Sequence, residues 1–308
     1  MPNPGDKIIE YETSGYDFRY FGDFDLATGS STETHAAIVV HGSGRTAETY
    51  YGRLKDAAAD SGSTAPCFSI QFLLDTDVAE HTLPANTIWW DSNSDWPIGH
   101  NSDNPNPNRI GSMEIMEFVI RRLEATMPNL TSISMIGHSA GGQYFSRFPA
   151  ANAERNTFIR YMPANPSSHM WWTTSRPGKC SGEYVPTDGG PYNEWKYGLE
   201  DLNTYFSNVG EASMRTNYQN SEIKFLIGTG DSDMYSGDMA VERSAMYQGK
   251  NRLERTERYF QHVLAEFPGA AHEMIVVPHV GHDGEWMIRD PQVRHYLFGG
   301  ENVGPYTP

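Results

Sequence analysis

A serine that attacks a carbonyl carbon needs a base to take its proton, an acid to orient that base, and N–H donors for the oxygen that becomes negative. The chain carries candidates for each. Gly137-His138-Ser139-Ala140-Gly141 fits Gly-x-Ser-x-Gly. It lies between an apolar run, SISMIGH (132–138), and a short helix expected from Ala140 to about Phe148. That setting marks a nucleophile elbow, a strained turn that lifts the serine hydroxyl to the carboxyl edge of a sheet. Gly137 and Gly141 leave room where side chains would clash. Asp231 ends the run EIKFLIGTGD (222–231), where a strand would deliver an acid to the same edge; Asp233 and Asp238 are rivals. His282 ends EMIVVPHVGH (273–282), and Gly281 before it frees the loop to aim the ring. His279 reads instead as a core or capping residue, and His138 must point away from its neighbour Ser139. The oxyanion donors expected are the backbone N–H groups of Ala140 and Ser43, with Gly44 the alternative in His41-Gly42-Ser43-Gly44-Arg45.

The elements that must position these residues alternate along the chain. Strand-like runs at 35–42, 66–73, 132–138, 158–168, 222–231 and 273–282 are separated by helical stretches. TYYGRLKDAAAD (49–60) is one such stretch; Met113, Met116, Ile120 and Leu123 mark another over about 109–127; Leu253, Phe260, Val263, Leu264 and Phe267 mark a third. Such alternation indicates a largely parallel sheet. Residues 91–108 are rich in Asn, Asp, Ser and Pro and read as loop. Residues 168–210, rich in Trp, Tyr, Gly and Pro, break the rhythm and read as a cap or lid over the sheet's carboxyl end. No repeat or long linker divides the chain, so a single domain over 1–308 is expected.

Four elements in order, HGSG, GHSAGG, IGTGD and VGHDG, resemble the α/β-hydrolase superfamily over nearly the whole chain. In style they are similar to its esterase, lipase and polyester-depolymerase branches. The resemblance implies an α/β-hydrolase fold, with a mostly parallel eight-stranded sheet flanked by helices, and a triad of Ser139, Asp231 and His282. It departs from HGGG lipases in having one glycine fewer in the oxyanion loop. The implied activity is carboxylic-ester hydrolysis through an acyl-enzyme, on a small-molecule or polymeric ester. An amidase, peptidase or acyltransferase on the same triad is the alternative, and a non-catalytic binding protein of the same fold a more distant one.

Composition narrows the partners. The net charge is −16, from 39 acidic and 23 basic side chains. Such a surface disfavours nucleic acid, and it disfavours a highly charged anionic substrate unless a local basic patch overrides the average field. No apolar run approaches the ~20 residues of a membrane helix, and the N-terminus lacks a signal-peptide pattern. The expectation is therefore a cytoplasmic protein, or a secreted one whose signal peptide has been removed. Cys67 and Cys180 allow at most one disulfide, and no His/Cys pattern calls for a metal or cofactor. Trp89, Trp90, Trp171 and Trp172 fall in strand-exit segments, as Trp96 does. They are read as walls of an aromatic cleft for a hydrophobic or aromatic ester, the other reading being core. Gly44 and Arg45 stand beside the oxyanion loop as possible substrate contacts, Arg45 for a carboxylate. Asn165, Ser167 and Ser168 read as a turn or as contacts for polar substrate groups.

Overall fold

A computed structural model describes residues 2–152, 155–177, 183–186, 190–236 and 239–299. Its main sheet has eight strands, in the order β1-β2-β4-β3-β5-β6-β9-β10. These are β1 (Lys7–Glu10), β2 (Asp17–Gly22), β3 (His35–Val40), β4 (Cys67–Gln71), β5 (Ser132–His138) and β6 (Phe158–Ala164), followed after a small separate pair by β9 (Glu222–Gly228) and β10 (His272–Val277). The small pair is β7 (Arg176–Pro177) with β8 (Glu183–Tyr184). Within the main sheet, β1–β2 and β2–β4 run antiparallel. From β4 to β10 every neighbouring pair is parallel, so the carboxyl ends of β5, β9 and β10 share one edge. The expected fold class is thus the observed one. The antiparallel β1 and β2 go beyond the expected strands; β1 has four residues, half of them exposed.

The strands are apolar because both faces are covered. Alternate residues of β3 belong to different clusters: Ala36, Ile38 and Val40 to one, Ala37 and Val39 to the other. Helices α1 (Ala47–Asp60) and α2 (Asp75–Glu80) come before and after β4. Next come α3 (Ser112–Thr126) and α4 (Ala140–Ala151). Short α5 (Thr204–Val209) precedes α6 (Glu211–Asn220), and α7 (Arg243–Met246) precedes the long α8 (Arg252–Glu266). The last described helices are α9 (Gly284–Arg289) and α10 (Pro291–Phe298). The anticipated stripe of Met113, Met116, Ile120 and Leu123 is fully buried on α3. That helix starts at Ser112 rather than near 109, because the Glu114 carboxylate accepts from the Gly111 N–H and caps it there. Helix α4 runs on through Pro149 to Ala151, three residues beyond the expectation.

Within the expected cap segment, Met170, Trp171, Trp172 and Phe206 lie in the larger core cluster. Cys67 is a buried free thiol, and its pKa is pushed up to about 12 by burial first and by Asp23 second. Cys180 and Asp238 lie outside the described residues. Among the described residues no helix is long and apolar enough to cross a membrane.

The core carries buried imidazoles with a consequence for stability. His41, His138, His169, His262 and His272 are all buried. In each, burial is the largest cause of a lowered pKa: to about 4 for His41 and His272, about 3 for His262, and well below the ordinary 6.5 for the other two. Below 6.5 the unfolded chain takes up protons that the folded chain excludes. Stability therefore rises with pH across this window and is lost as pH falls from about 6.5 toward 4. Each such histidine contributes up to about 1.4 kcal/mol per pH unit within it. Urea unfolding should accordingly show a midpoint that drops steadily between pH 7 and pH 5; a midpoint constant over that range would contradict this account.

Candidate active site

Ser139 sits between β5 and α4 with φ 59° and ψ −111°. A non-glycine residue in such a conformation costs on the order of 1–3 kcal/mol and needs its surroundings to hold it. Its N–H donates to the Ala164 carbonyl at 2.9 Å, the Gly141 N–H to the His41 carbonyl at 3.0 Å, and the Gln143 N–H to the Ser139 carbonyl at 2.9 Å. The turn is therefore tied to β6 and to the end of β3. A Cβ on Gly137 would lie 2.2 Å from the Gly141 oxygen, and one on Gly141 would lie 2.3 Å from the Val40 oxygen. No side chain fits at either position while strand, turn and helix keep this approach.

The structure brings the three predicted residues together. Ser139 Oγ is 2.9 Å from His282 Nε2, and His282 Nδ1 is 2.8 Å from Asp231 Oδ2. The loops that carry the acid and the histidine are joined to each other. The Gly230 N–H donates to the Val280 carbonyl at 2.9 Å, and the His279 N–H to Thr229 Oγ1 at 2.8 Å. Asp283, just past the histidine, caps α9 by accepting from the Glu285 and Trp286 N–H groups. His279 is exposed, so it is not the core residue that the sequence suggested. Asp233 is exposed too, and its carboxylate accepts from the Tyr235 N–H at 2.8 Å as a turn residue does.

Asp231 is only 3% exposed. Burial alone would raise its pKa, but His282, Arg252 and Asn165 together outweigh it and hold the carboxyl below its ordinary value. Asn165 Nδ2 donates to Oδ2 at 2.6 Å and to the Gly281 carbonyl at 3.2 Å, so one side chain fixes both the acid and the loop before His282. Arg252, fully buried at the first turn of α8, reaches Oδ1 at 3.3 Å. Asn165 is therefore neither a plain turn nor a free substrate contact. Arg252 escapes sequence reasoning, because a charge on an amphipathic helix reads as solvated.

His138 does point away from Ser139, as expected. Its ring packs 4.6 Å from that of His282, and its Nδ1 is linked to the Tyr50 hydroxyl at 2.8 Å. Burial first, and the neighbouring His282 next, keep His138 neutral.

The oxyanion candidates Ser43 and Ala140 line one cleft. Ala140 begins α4, where the first N–H groups of a helix have no intrahelical acceptor. Gly42-Ser43-Gly44-Arg45 forms a turn closed by the Arg45 N–H on the Gly42 carbonyl at 3.0 Å. Among the described residues, no hydrogen bond within the protein takes the N–H of Ala140 or Ser43. Asn93 Nδ2 donates to the Ser43 carbonyl at 2.6 Å, and Trp96 Nε1 in turn holds Asn93 Oδ1 at 3.0 Å.

Two shallow clefts flank Ser139. One of about 260 Å³ is lined by Gly42, Ser43, Gly44, Tyr50, Ser139 and His282, among others. The other, of about 290 Å³, is lined by Ser43, Asn93, Ala140, Gln143, Ser167 and Lys196, among others. Gly44 thus lies where a substrate could touch it. Arg45 does not line either cleft: it holds the fully buried Asp77 through Nε at 2.8 Å and Nη2 at 3.0 Å, while Nη1 reaches the Ser43 carbonyl at 3.3 Å. It braces the oxyanion loop instead of awaiting a carboxylate. Nor do the tryptophans form cleft walls here. Trp90, Trp171 and Trp172 are each 1% exposed within the larger core cluster. Trp90 packs edge-on to Phe72, Trp171 against His262, and Trp172 against Tyr218 and Phe267. Trp89 is half-buried and lines neither cleft. The loops that hold them fold back onto the sheet, as the Leu74–Trp90 bridge shows, so strand-exit position does not mean exposure.

No protein-family profile and no curated protein matches the chain. Solved structures do. A poly(aspartic acid) hydrolase from Sphingomonas sp. KT-1 is similar at 20% identity and TM-score 0.67, over 96% of this chain and 99% of that one. A poly(3-hydroxybutyrate) depolymerase from Bordetella parapertussis is similar at 18% identity and TM-score 0.64, over 92% of this chain and 85% of that one. An IroE-like serine hydrolase from Shewanella oneidensis is similar at 12% identity and TM-score 0.50, over 94% and 79%. The chain has the α/β-hydrolase fold.

The hydrogen-bonded arrangement predicts which carboxylate controls Ser139. An Asp231→Asn change leaves the histidine in the wrong tautomer and should slow labelling of Ser139 by a fluorophosphonate by roughly 10²-fold or more. Asp233→Asn should leave the labelling rate within about twofold, as expected of a surface turn residue. Equal labelling rates in the two variants would remove Asp231 from the role.

Proposed function

We propose that this protein hydrolyses carboxylic esters through an acyl-enzyme on Ser139. The observation that carries the reading is the unbroken path from the Ser139 hydroxyl through His282 to Asp231, set at a strained elbow. His282 Nε2 takes the hydroxyl proton as Oγ attacks the ester carbonyl. The oxygen that becomes negative turns toward the N–H groups of Ala140 and Ser43, which meet it without first rearranging. The imidazolium then gives its proton to the departing alkoxide. A water molecule repeats both steps in reverse roles and frees the acid. Asp231, kept ionised by its partners, fixes the tautomer with the proton on Nδ1 and stabilises the imidazolium. His138 supports this charge by staying neutral; a cation 4.6 Å away would oppose it.

Hydrolysis of 4-nitrophenyl butyrate tests the proposal. Ser139→Ala should lower kcat/KM by roughly 10³-fold or more, because members of such a unit act together. Near-native turnover by a variant with an unchanged Tm would refute the assignment. The brace on the oxyanion loop gives a second expectation. Asn93→Ala should lower kcat by roughly tenfold with little change in KM, since a misplaced donor weakens the transition state more than the bound ester. An unchanged kcat would show that Ser43 keeps its place without Asn93.

A further inference from the structure

The ester-hydrolase reading gives each of the two clefts a role, and the nature of the acyl group inferred from them rests on that reading. His282 must reach the leaving oxygen, so the leaving group lies in the cleft that the histidine lines. The acyl chain then occupies the other cleft, between Ala140 and Lys196. That cleft offers mostly polar side chains: Asn93, Ser94, Gln143, Ser167, Lys196 and Glu242.

Its charges are unusual for this chain. The Lys196 side chain is 20% exposed, lies over the Tyr197 ring at 5.2 Å, and has a long pairing of 3.5 Å with Glu242. Behind it lie Arg147 and Arg255, both fully buried. Arg147 donates to the carbonyls of Gln143, Ser168 and Lys196 and to the hydroxyls of Ser146 and Ser168. Arg255 donates to the carbonyls of Gly249, Ser167 and Ala240 and to the Met246 sulfur. The two guanidiniums thereby staple together the segments that wall the cleft. Among the described residues neither makes an ion pair with a carboxylate.

The acids that bear on this group are Glu242, which faces Lys196 and Arg255, Glu254 near Arg255, and Asp95 near Lys196. Burial draws the Lys196 pKa down against the pull of Glu242, and Arg147 adds to the effect. In a poorly solvated interior such charges act with little screening. The three cations thus stand beside three acids, and Lys196 is the cation among the residues that line the cleft.

We propose that the acyl half of the natural ester carries a carboxylate, which Lys196 binds in place of its long pairing with Glu242, while Arg147 and Arg255 hold the cleft walls. The acyl group is then short and polar, in place of the hydrophobic or aromatic group that the tryptophans suggested.

Monoethyl succinate and ethyl levulinate present the same chain length, one ending in a carboxylate and the other in a neutral ketone. Ethyl butyrate supplies the apolar control. The wild-type chain should favour succinate over levulinate in kcat/KM by roughly tenfold, the size of a charge-assisted contact. Lys196→Met should lower the succinate-to-levulinate ratio about tenfold, and Lys196→Arg should restore most of it. The ratio is internal to each variant, so partial misfolding does not disguise the result. A wild-type preference for levulinate or butyrate, or a ratio unmoved by Lys196→Met, would overturn the proposal and leave the ester-hydrolase reading intact. Turnover of none of the three, with Ser139 still labelled by a fluorophosphonate, would also overturn it. Failure of Ser139 to label at all would instead remove the reading on which it rests.

Discussion

The site depends on a buried carboxylate that stays charged. Asp231 is almost wholly removed from water, which would favour its neutral form. Three partners from different parts of the chain reverse that preference: His282 after β10, Asn165 after β6 and Arg252 on α8. In the proposed mechanism that charge sets the histidine tautomer, and the tautomer sets what the serine hydroxyl can give up. Removing any of these partners leaves a buried anion less compensated, a costly state in a poorly solvated interior. The carboxylate therefore ties the site to the order of the strands, because the parallel neighbours β6, β9 and β10 deliver Asn165, Asp231 and His282 to one edge.

The oxyanion side follows the same principle with weaker means. Ser43 has no strand or helix of its own to hold it. Its carbonyl is taken by Asn93 and Arg45, which are oriented by Trp96 and Asp77. Burial raises the Asp77 pKa, yet the Arg45 guanidinium and the Leu74 N–H bring it below the usual carboxylate value. A glycine-bearing turn is thereby held in place with one candidate donor, the Ser43 N–H. Polar side chains that look free in the sequence are spent on holding backbone, and the basic side chain that lines the second cleft is Lys196, paired with Glu242 at 3.5 Å.

Much of the fold and of the site is legible in the sequence. Ser139, Asp231 and His282 each end an apolar run, and parallel strands must deliver such ends to one edge. Gly137 and Gly141 mark the elbow, since a Cβ on Gly137 would meet Gly141 of α4 and one on Gly141 would meet Val40 of β3. The tryptophans are less legible, because position after a strand says nothing about whether a loop leaves the sheet or folds back on it. Arg45 reads as free in the sequence because its partner Asp77 lies 32 residues away. Arg147, Arg252 and Arg255 are hidden for a related reason. Charges in helices read as solvated, yet the irregular segments over this sheet leave buried carbonyls that need donors, and arginine supplies several in one plane. The antiparallel β1, with four residues and half of them exposed, is too short to show a period.

The central claim is that Ser139 attacks and that the N–H groups of Ala140 and Ser43 receive the oxygen. A crystal structure of the protein after reaction with a fluorophosphonate tests it directly. The account predicts phosphorus bonded to Ser139 Oγ, with the phosphoryl oxygen about 3 Å from both N–H groups. An adduct on any other residue, or a phosphoryl oxygen turned away from that pair, would contradict it.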